Sequence, residues 1–227
     1  MRDNPNMKSV ATRNPRRLTR REAQSLTRQR LVEAAAEVFC EEGFLKSSLV
    51  DVADRAGYTI GAVYSNFSGK DELFMAVMRD RLPRVEAMLG AALADRAPVP
   101  GSTTSVDEQI EQELDRLAAG EDGVPHNWWR LLSEFRTHAA PDPALWAELA
   151  ESERRCREII ARHIERFAAD TGLVLPLSPI ELAELTSALA DGMRAAYAEG
   201  RSTLTPGQGL RQVVAAFIAI SPRIDVS

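Results

Sequence analysis

The sequence has few cysteines and no long apolar segment. Among its 227 residues only Cys40 and Cys156 are cysteines, and no CxxC pair occurs, which argues against disulfides and against a structural zinc site. No run of about 18 or more apolar residues is present, so a membrane-spanning helix is not expected. The polar, basic segment 1–30 also lacks the apolar core of a secretory signal. These absences predict a protein of the reducing cytoplasm that has no membrane partner.

Signatures of catalysis are missing as well. The sequence has no GxSxG, HExxH or GxGxxG motif, and His126, His138 and His163 lack the spacing of metal ligands. The tetrapeptide "SGKD" resembles the end of a phosphate-binding P-loop. However, Tyr64 and Asp71 stand where that loop requires a glycine and a serine or threonine. We therefore expect no catalytic residues, no metal site and no cofactor, and an enzyme is the least supported function class.

Positive charge is concentrated at the N-terminus. Residues 1–70 contain 12 lysines and arginines against 8 acidic residues, whereas the remainder contains 16 against 25. A basic head on an acidic body indicates that only the N-terminal part meets a polyanion such as DNA. The alternative is a disordered tail without a partner. Four arginines close to the first helix are candidate contacts of a DNA-binding arm: Arg16, Arg17, Arg20 and Arg21.

Helical periodicity predicts an all-α fold. Leu31, Ala34, Ala35, Val38 and Phe39 follow the i, i+3, i+4, i+7, i+8 spacing of one helix face, and Gly43 ends that helix. Strand alternation is almost absent. Three segments are predicted: a basic arm at 1–24 that we expect to be disordered, a small helical domain at 25–80 with a helix-turn-helix at about 48–67, and a larger helical domain at 81–227.

The stretch "AGYTIGAVYSNFSGKDELF" (56–74) has the pattern of a turn followed by a recognition helix. Gly57 supplies the turn, and the small Gly61 and Ala62 allow a close approach to DNA. A short helix buried in a bundle is the alternative. Ile60 distinguishes the two, because its spacing places it in the core and its motif position places it in the major groove. The candidate DNA contacts are Ser48, Thr59, Ile60, Gly61, Ala62, Tyr64, Ser65, Asn66 and Lys70.

The segment 28–78, "RQRLVEAAAEVFCEEGFLKSSLVDVADRAGYTIGAVYSNFSGKDELFMAVM", resembles the DNA-binding domain of the tetracycline-repressor (TetR) family. By position, Tyr64 and Lys70 match phosphate-contacting residues, Ser48 matches the cap of the second helix and Phe67 matches a packing residue. The resemblance implies a homodimer on palindromic double-stranded DNA and a C-terminal domain that binds a small effector. Asn66 departs from the family pattern, and Ile60 and Ala62 vary with the operator, so the half-site sequence cannot be transferred.

The C-terminal region resembles the family in architecture alone. An aromatic cluster suggests a pocket for a small apolar or aromatic effector, with His126, Trp128, Trp129, Phe135, His138 and Trp146 as candidates. Cys156 has basic neighbours that could lower its pKa. Two apolar helices, at about 179–199 and 208–220, are expected to form the dimer interface through Leu182, Leu185, Leu189, Met193, Val213 and Phe217. An effector-released repressor is the favoured function. An activator or nucleoid-like binder without an effector stays an alternative.

Overall fold

The structure, a computed structural model, describes residues 19–94, 105–119 and 127–222. Nine α-helices form within these ranges, which confirms the all-α prediction. They are α1 (Arg20–Glu42), α2 (Leu49–Ala56), α3 (Ile60–Tyr64), α4 (Lys70–Ala94), α5 (Val106–Ala119), α6 (Trp128–Ala139), α7 (Pro143–Thr171), α8 (Pro179–Ala198) and α9 (Pro206–Ile220). The predicted arm residues Arg16 and Arg17 and the predicted pocket residue His126 lie outside the described residues.

The first helix begins earlier than the sequence suggested. Thr19 is its N-cap, and its hydroxyl accepts a hydrogen bond from the Glu22 N–H at 3.2 Å. Residues 20–24, which the sequence assigned to a disordered arm, therefore form the first turns of α1. Arg20 and Arg21 keep exposed side chains at this end of the helix.

The caps of α2 and α3 follow from the local sequence. The Ser48 hydroxyl accepts from the Asp51 N–H at 3.2 Å, and the Asp51 carboxylate accepts from the Ser48 N–H at 2.8 Å. Gly57 ends α2 in the left-handed conformation, with φ 72°. Two residues later the Thr59 hydroxyl caps α3 by accepting from the Ala62 N–H. These three residues confirm the predicted helix-turn-helix geometry.

The apolar faces of α1 to α4 close over one core. Val63 of α3 and the following Phe67 are buried, as predicted, against Val52 of α2 and Phe39 of α1. The first half of α4 contributes Leu73, Phe74 and Val77 to the same core. Since all of these side chains are apolar and buried, the hydrophobic effect holds α3 in place from one side only and leaves its other side to solvent.

The remaining helices form a larger bundle. The long α7 packs along both α4 and α8, and α9 packs against α5 and α8. A smaller apolar cluster of Ile110, Leu114, Ala168 and Leu173 joins α5 to the end of α7. None of the helices in the described part of the chain has an apolar stretch long enough to cross a membrane.

The first core continues across the predicted domain boundary at residues 80 and 81. Trp128, Leu131, Leu132 and Phe135 of α6 are buried in the cluster that contains the α1–α4 side chains. The long α4 also runs through that boundary without interruption. The predicted division therefore stays a hypothesis about separate roles, because the packing joins the two parts through α4 and α6.

Candidate nucleic-acid interface and ligand cavity

The outer face of α3 carries Ile60 and Tyr64. The exposed fractions are 37% for Ile60 and 61% for Tyr64, whereas Val63 between them is fully buried. Ile60 is the first residue of α3, a helix of only five residues. The two predictions for Ile60 conflicted, and the structure orients it away from the core. That orientation is the one a groove contact requires.

Gly61 and Ala62 are the small residues of α3, so little side-chain volume projects from the helix at these positions. A Cβ added at Gly61 would meet only the Thr59 hydroxyl, at 3.7 Å, so nothing in the protein itself requires a glycine here. Gly61 is exposed, and Ala62 adds only a methyl group beside it. A second molecule can therefore approach the backbone of α3 closely, as predicted.

Ser65 and Asn66 follow α3 and satisfy its C-terminal end. The Ser65 hydroxyl and the Asn66 side-chain amide both donate to the Ala62 carbonyl, at 2.9 Å and 2.8 Å. The Asn66 amide thus has a structural role that the sequence did not suggest. The roles of Asn66 and Ser65 as DNA contacts stay predictions.

Lys70 begins α4 and reaches the start of α2. Its ammonium group donates to the Ser47 carbonyl at 2.5 Å and lies 4.5 Å from the centroid of the Phe44 ring. Burial lowers the pKa of Lys70, and the nearby carboxylates of Asp71, Glu134 and Asp51 oppose the change. An ammonium has three N–H donors, so Lys70 can fix the position of α2 and still contact a phosphate beside Ser48.

Arg28 is a residue of this surface that the sequence analysis missed. Its guanidinium donates to the Asn66 carbonyl, pairs with Glu72 at 3.3 Å and lies 4.0 Å from the centroid of the Phe67 ring. Arg28 therefore ties α1 to the chain that leaves α3. A groove beside it brings the predicted arm residue Arg21 together with Gln24, Ser25, Ser65 and Asn66. No local pattern indicates these contacts, because 38 residues separate Arg28 from Asn66.

A second candidate site is a partly open cavity of about 340 Å³ lined by residues of α4 to α9. Its walls are mainly apolar and include Leu82, Val85, Ile160, Leu182 and Phe217. This volume lies at the small end of the range for ligand pockets, and an apolar wall with a few polar groups is typical of them. The lining residues come from six helices and the segment that follows α7, so they have no common sequence signature.

The aromatic cluster does not form this cavity. Trp128 lines it, but the predicted residues Trp129, Phe135, His138 and Trp146 do not. Phe135 is fully buried and stacks on Phe74 at 3.8 Å between ring centroids, and Phe44 packs on it edge-on at 4.8 Å. These four residues therefore do not contribute to this cavity, and their role in binding an effector stays a prediction. Sequence spacing does not specify which neighbour each face of a helix meets.

His138 of the aromatic cluster and Glu134 on the same helix connect α6 to the helix-turn-helix unit. His138 Nε2 lies 2.9 Å from an Asp71 carboxylate oxygen at the start of α4. The Glu134 carboxylate accepts from the Leu45 N–H at 3.1 Å. It fits there because residue 43 is a glycine with φ 89°; a Cβ at that position would lie 2.7 Å from a Glu134 oxygen. These contacts link α6 to the start of α4 and to the segment between α1 and α2.

Cys156 lines the cavity, yet its thiol is not activated. Burial raises the pKa of Cys156, and the positive charges of Arg81 and Arg157 oppose that rise without cancelling it. The basic neighbours thus act in the expected direction, but burial outweighs them and the pKa of Cys156 is raised. A protonated thiol is a weak nucleophile, so the structure gives no support to a redox-sensing role for Cys156.

The predicted dimer residues divide into three groups. Leu182 and Phe217 line the cavity, so their side chains face the interior of the protomer. Leu185 and Val213 face outward, with exposed fractions of 51% and 38%. Leu189 and Met193 are half-buried, and Met193 packs on Gly209 so closely that a Cβ there would lie 2.3 Å from the Met193 methyl carbon. The interface roles of all six residues stay predictions, and Leu185 and Val213 are the two with the most exposed side chains among them.

Comparisons with known proteins agree with this architecture. A family model described as bacterial regulatory proteins of the tetR family matches residues 31–77, and a model for the C-terminal region of BetI-type transcriptional repressors matches residues 121–220. The HTH-type transcriptional repressor BepR of Brucella suis is 36% identical over 106 residues, which are 46% of this chain and 49% of BepR. The chain thus spans only about half the length of BepR.

A regulator of Pseudomonas putida, TtgW, is 35% identical over 114 residues that cover 44% of this chain and 81% of TtgW. Two solved structures share the fold. One is a transcriptional regulator from Saccharomonospora viridis in complex with choline, with a TM-score of 0.63 and 20% sequence identity. The match covers 88% of this chain and 100% of the chain of that regulator. The other is the reduced form of E. coli NemR, with a TM-score of 0.64 and 16% sequence identity, and the match covers 85% of this chain and 97% of the NemR chain. This chain belongs to the tetR family of bacterial regulatory proteins.

Proposed function

We propose that this protein is a sequence-specific DNA-binding regulator that represses transcription as a homodimer on a palindromic site and is released by a small molecule. The observation that carries the proposal is the outward face of α3. Ile60, Gly61 and Tyr64 are exposed there, while Val63 and Phe67 fix the helix to the core. A short, rigidly held helix with a shallow polar and aliphatic outer face suits the major groove.

Two electropositive regions extend this surface beyond α3. One is Lys70 with the N-terminus of α2, and the other is the first turn of α1 with Arg20 and Arg21. Cations and helix N-termini bind backbone phosphates, which position a protein on DNA without specifying the sequence. Ile60 and Ala62 are the proposed contacts with base edges, because an aliphatic side chain can meet a thymine methyl group.

The proposed homodimer pairs the outer faces of α8 and α9 with the same faces of a second copy. Leu185 and Val213 are exposed on these helices, and Ile220 at the end of α9 is 74% exposed. Exposed apolar side chains on adjacent helices are typical of a subunit interface. Four helices, two from each protomer, would bury them. This arrangement supports two recognition helices related by twofold symmetry, which a palindromic site requires.

The proposed effector site is the cavity lined by α4 to α9. It is bounded by α4, whose first half belongs to the core of the helix-turn-helix unit, and by Trp128 of α6. A ligand that changes the position of either helix would change the separation of the two recognition helices in the dimer. Release from DNA is then a population shift between a DNA-binding and a non-binding arrangement.

Selection of bound duplexes from a random-sequence pool at about 100 mM salt tests the proposal. We expect an inverted repeat whose half-site centres lie about 34–36 Å apart, or a multiple of that distance. A protein that enriches no sequence and shows no saturable binding would contradict the DNA-binding function. Enrichment of a single unrepeated site would contradict the dimer alone.

The Tyr64→Phe variant separates a phosphate contact from a structural role. The Tyr64 side chain is 61% exposed, so we expect stability to change by no more than about 0.5 kcal/mol. Loss of the hydroxyl should weaken binding by roughly fivefold to tenfold for selected and unrelated duplexes alike, because phosphates carry no sequence information. Fluorescence anisotropy with both duplexes measures this effect. Tyr197→Phe, at a tyrosine on α8, is the matched control; equal losses in both variants would refute the contact.

A further inference from the structure

The cavity contains charged groups whose pairing is uneven. Four arginines line it against three carboxylates, in walls that are otherwise mainly apolar. Glu153 pairs with Arg136 at 2.9 Å, and Asp191 lies 3.8 Å from Arg136 and 3.5 Å from Arg194. The third carboxylate, Glu113, lies 3.1 Å from His163. Each acidic side chain therefore already has a partner within the protein.

Arg81 is in a different position. It lies on α4, and in the described part of the chain no carboxylate is within 4.0 Å of its guanidinium. Its described contact is with Trp128, whose ring centroid is 4.3 Å from the guanidinium carbon. Burial lowers the pKa of Arg81, although an arginine stays charged at neutral pH. Asp191 acts on this half-buried guanidinium electrostatically but is itself close to Arg136 and Arg194. An anion that enters the cavity and pairs directly with Arg81 would therefore offset the desolvation of its charge.

A second arginine strengthens this asymmetry. Arg157 also lines the cavity and has no ion pair among the described residues. Both Arg81 and Arg157 act electrostatically on the thiol of Cys156, which lines the same wall. Two guanidinium groups that line the cavity thus lie close enough to Cys156 to act on its thiol. Guanidinium groups bind carboxylates through paired N–H donors, so such a lining suits an oxyanion.

The same contacts disfavour a cationic ligand. A quaternary ammonium group is usually held against the face of an aromatic ring, and Arg81 already occupies the face of Trp128. Of the three acidic residues that could balance a cation, Glu153 and Asp191 are engaged with Arg136, and Glu113 is paired with His163. A cation would have to compete with these internal partners.

We propose that the cavity binds an organic carboxylate with an apolar body, and that Arg81 pairs with its anionic group. This proposal rests on the proposed function, because it specifies the chemical class of the effector. The apolar body contacts the side chains of Leu82, Val85 and Ile160. Since Arg81 lies on the helix that enters the helix-turn-helix core, its partner in the cavity acts directly on that helix.

Calorimetric titration with two sets of matched probes tests the inference. One set is decanoate, decanamide and decyltrimethylammonium; the other is 4-phenylbutyrate, its amide and 4-phenylbutyl-trimethylammonium. In at least one set we expect the carboxylate to bind about tenfold to hundredfold more tightly than the other two, because hydrogen bonds to a charged group are worth that much. Arg81→Gln should remove this preference without removing binding of the amide.

Arg84→Gln is the matched control on the same helix. Arg84 pairs with Asp80 at 2.7 Å, its side chain is 63% exposed and it does not line the cavity, so the preference should persist. The inference is overturned if neither carboxylate binds at about 1 mM, if in both sets the amide or the ammonium probe binds as tightly as the carboxylate, or if Arg81→Gln retains the preference. DNA binding without ligand, measured in parallel, separates this failure from failure of the proposed function.

Discussion

Replacing Phe135 by alanine is expected to lower the free energy of unfolding by about 3–5 kcal/mol, a large share of the stability of a typical domain. The Phe135 ring is fully buried, stacks on Phe74 at 3.8 Å and meets Phe44 at 4.8 Å. Removing it leaves a cavity where α6 joins the helix-turn-helix unit, so DNA affinity should fall as well. Urea denaturation followed by circular dichroism measures the first effect, and anisotropy measures the second.

Two further variants make the Phe135 result interpretable. Phe135→Leu keeps most of the volume and should cost about 1–2 kcal/mol, so it reports on the same site if the alanine variant does not fold. Trp146→Ala removes another aromatic side chain of the predicted cluster, which is 45% exposed, and should cost no more than about 1 kcal/mol. A loss below that of Trp146→Ala in both Phe135 variants would contradict the structural role assigned to this ring.

Replacing Gly61 by leucine is expected to weaken DNA binding by about tenfold to hundredfold without lowering stability. A side chain at this position meets only the Thr59 hydroxyl, at 3.7 Å for the Cβ, and otherwise projects into solvent. Leucine also favours a helix more than glycine does, so the free energy of unfolding should stay equal or rise by roughly 0.5–1 kcal/mol. The projecting side chain would occupy the space into which α3 approaches the DNA.

Gly90→Leu provides the control for that substitution. Gly90 is exposed on α4, and a Cβ there meets nothing within 4 Å, so the same chemical change is made away from α3. We expect DNA affinity within about twofold of the unmodified protein, as for other surface substitutions. Thermal unfolding and titration of the selected duplex give both quantities. A Gly61→Leu variant that binds DNA normally would show that α3 does not enter the groove.

The local structure of the helix-turn-helix could be predicted because its causes are local. Ser48 and Thr59 have side chains that cap the first turn of the following helix, and Gly57 adopts the left-handed conformation that ends α2. Val63 and Phe67 follow helical spacing toward one face. Each of these signals lies within a few residues of the structure that it specifies.

Ile60 was ambiguous for a related reason. Its spacing from Val63 and Phe67 fits the buried face, but it is the first residue of a helix of five residues. A periodic pattern over so few positions cannot determine how far that face wraps around the helix. The packing of α2 against α3 decides that Val63 is buried and that Ile60 is partly exposed.

Of the residues that line the cavity, the sequence analysis proposed Trp128 as a pocket residue, and one further lining residue has a recognisable sequence signal. Arg81 lies among Met78, Leu82 and Val85, at a position on the apolar face of α4. A charged residue on the buried face of an amphipathic helix is a recognisable signal of a functional site. In contrast, the aromatic residues of α6 and their neighbours drew attention by composition alone, and composition does not specify which other helix they meet.

The sequence by itself determined the helices, their caps, the turn before α3 and the concentration of positive charge near α1, since these depend on residues close together in the chain. Only the tertiary structure decided that Phe135 joins α6 to Phe44 and Phe74, that Arg28 holds the end of α3, and that Arg81 lies on Trp128 in an apolar cavity. Those contacts join residues about 40 to 90 positions apart, and the burial of whole helix faces, which no local pattern encodes, brings them together.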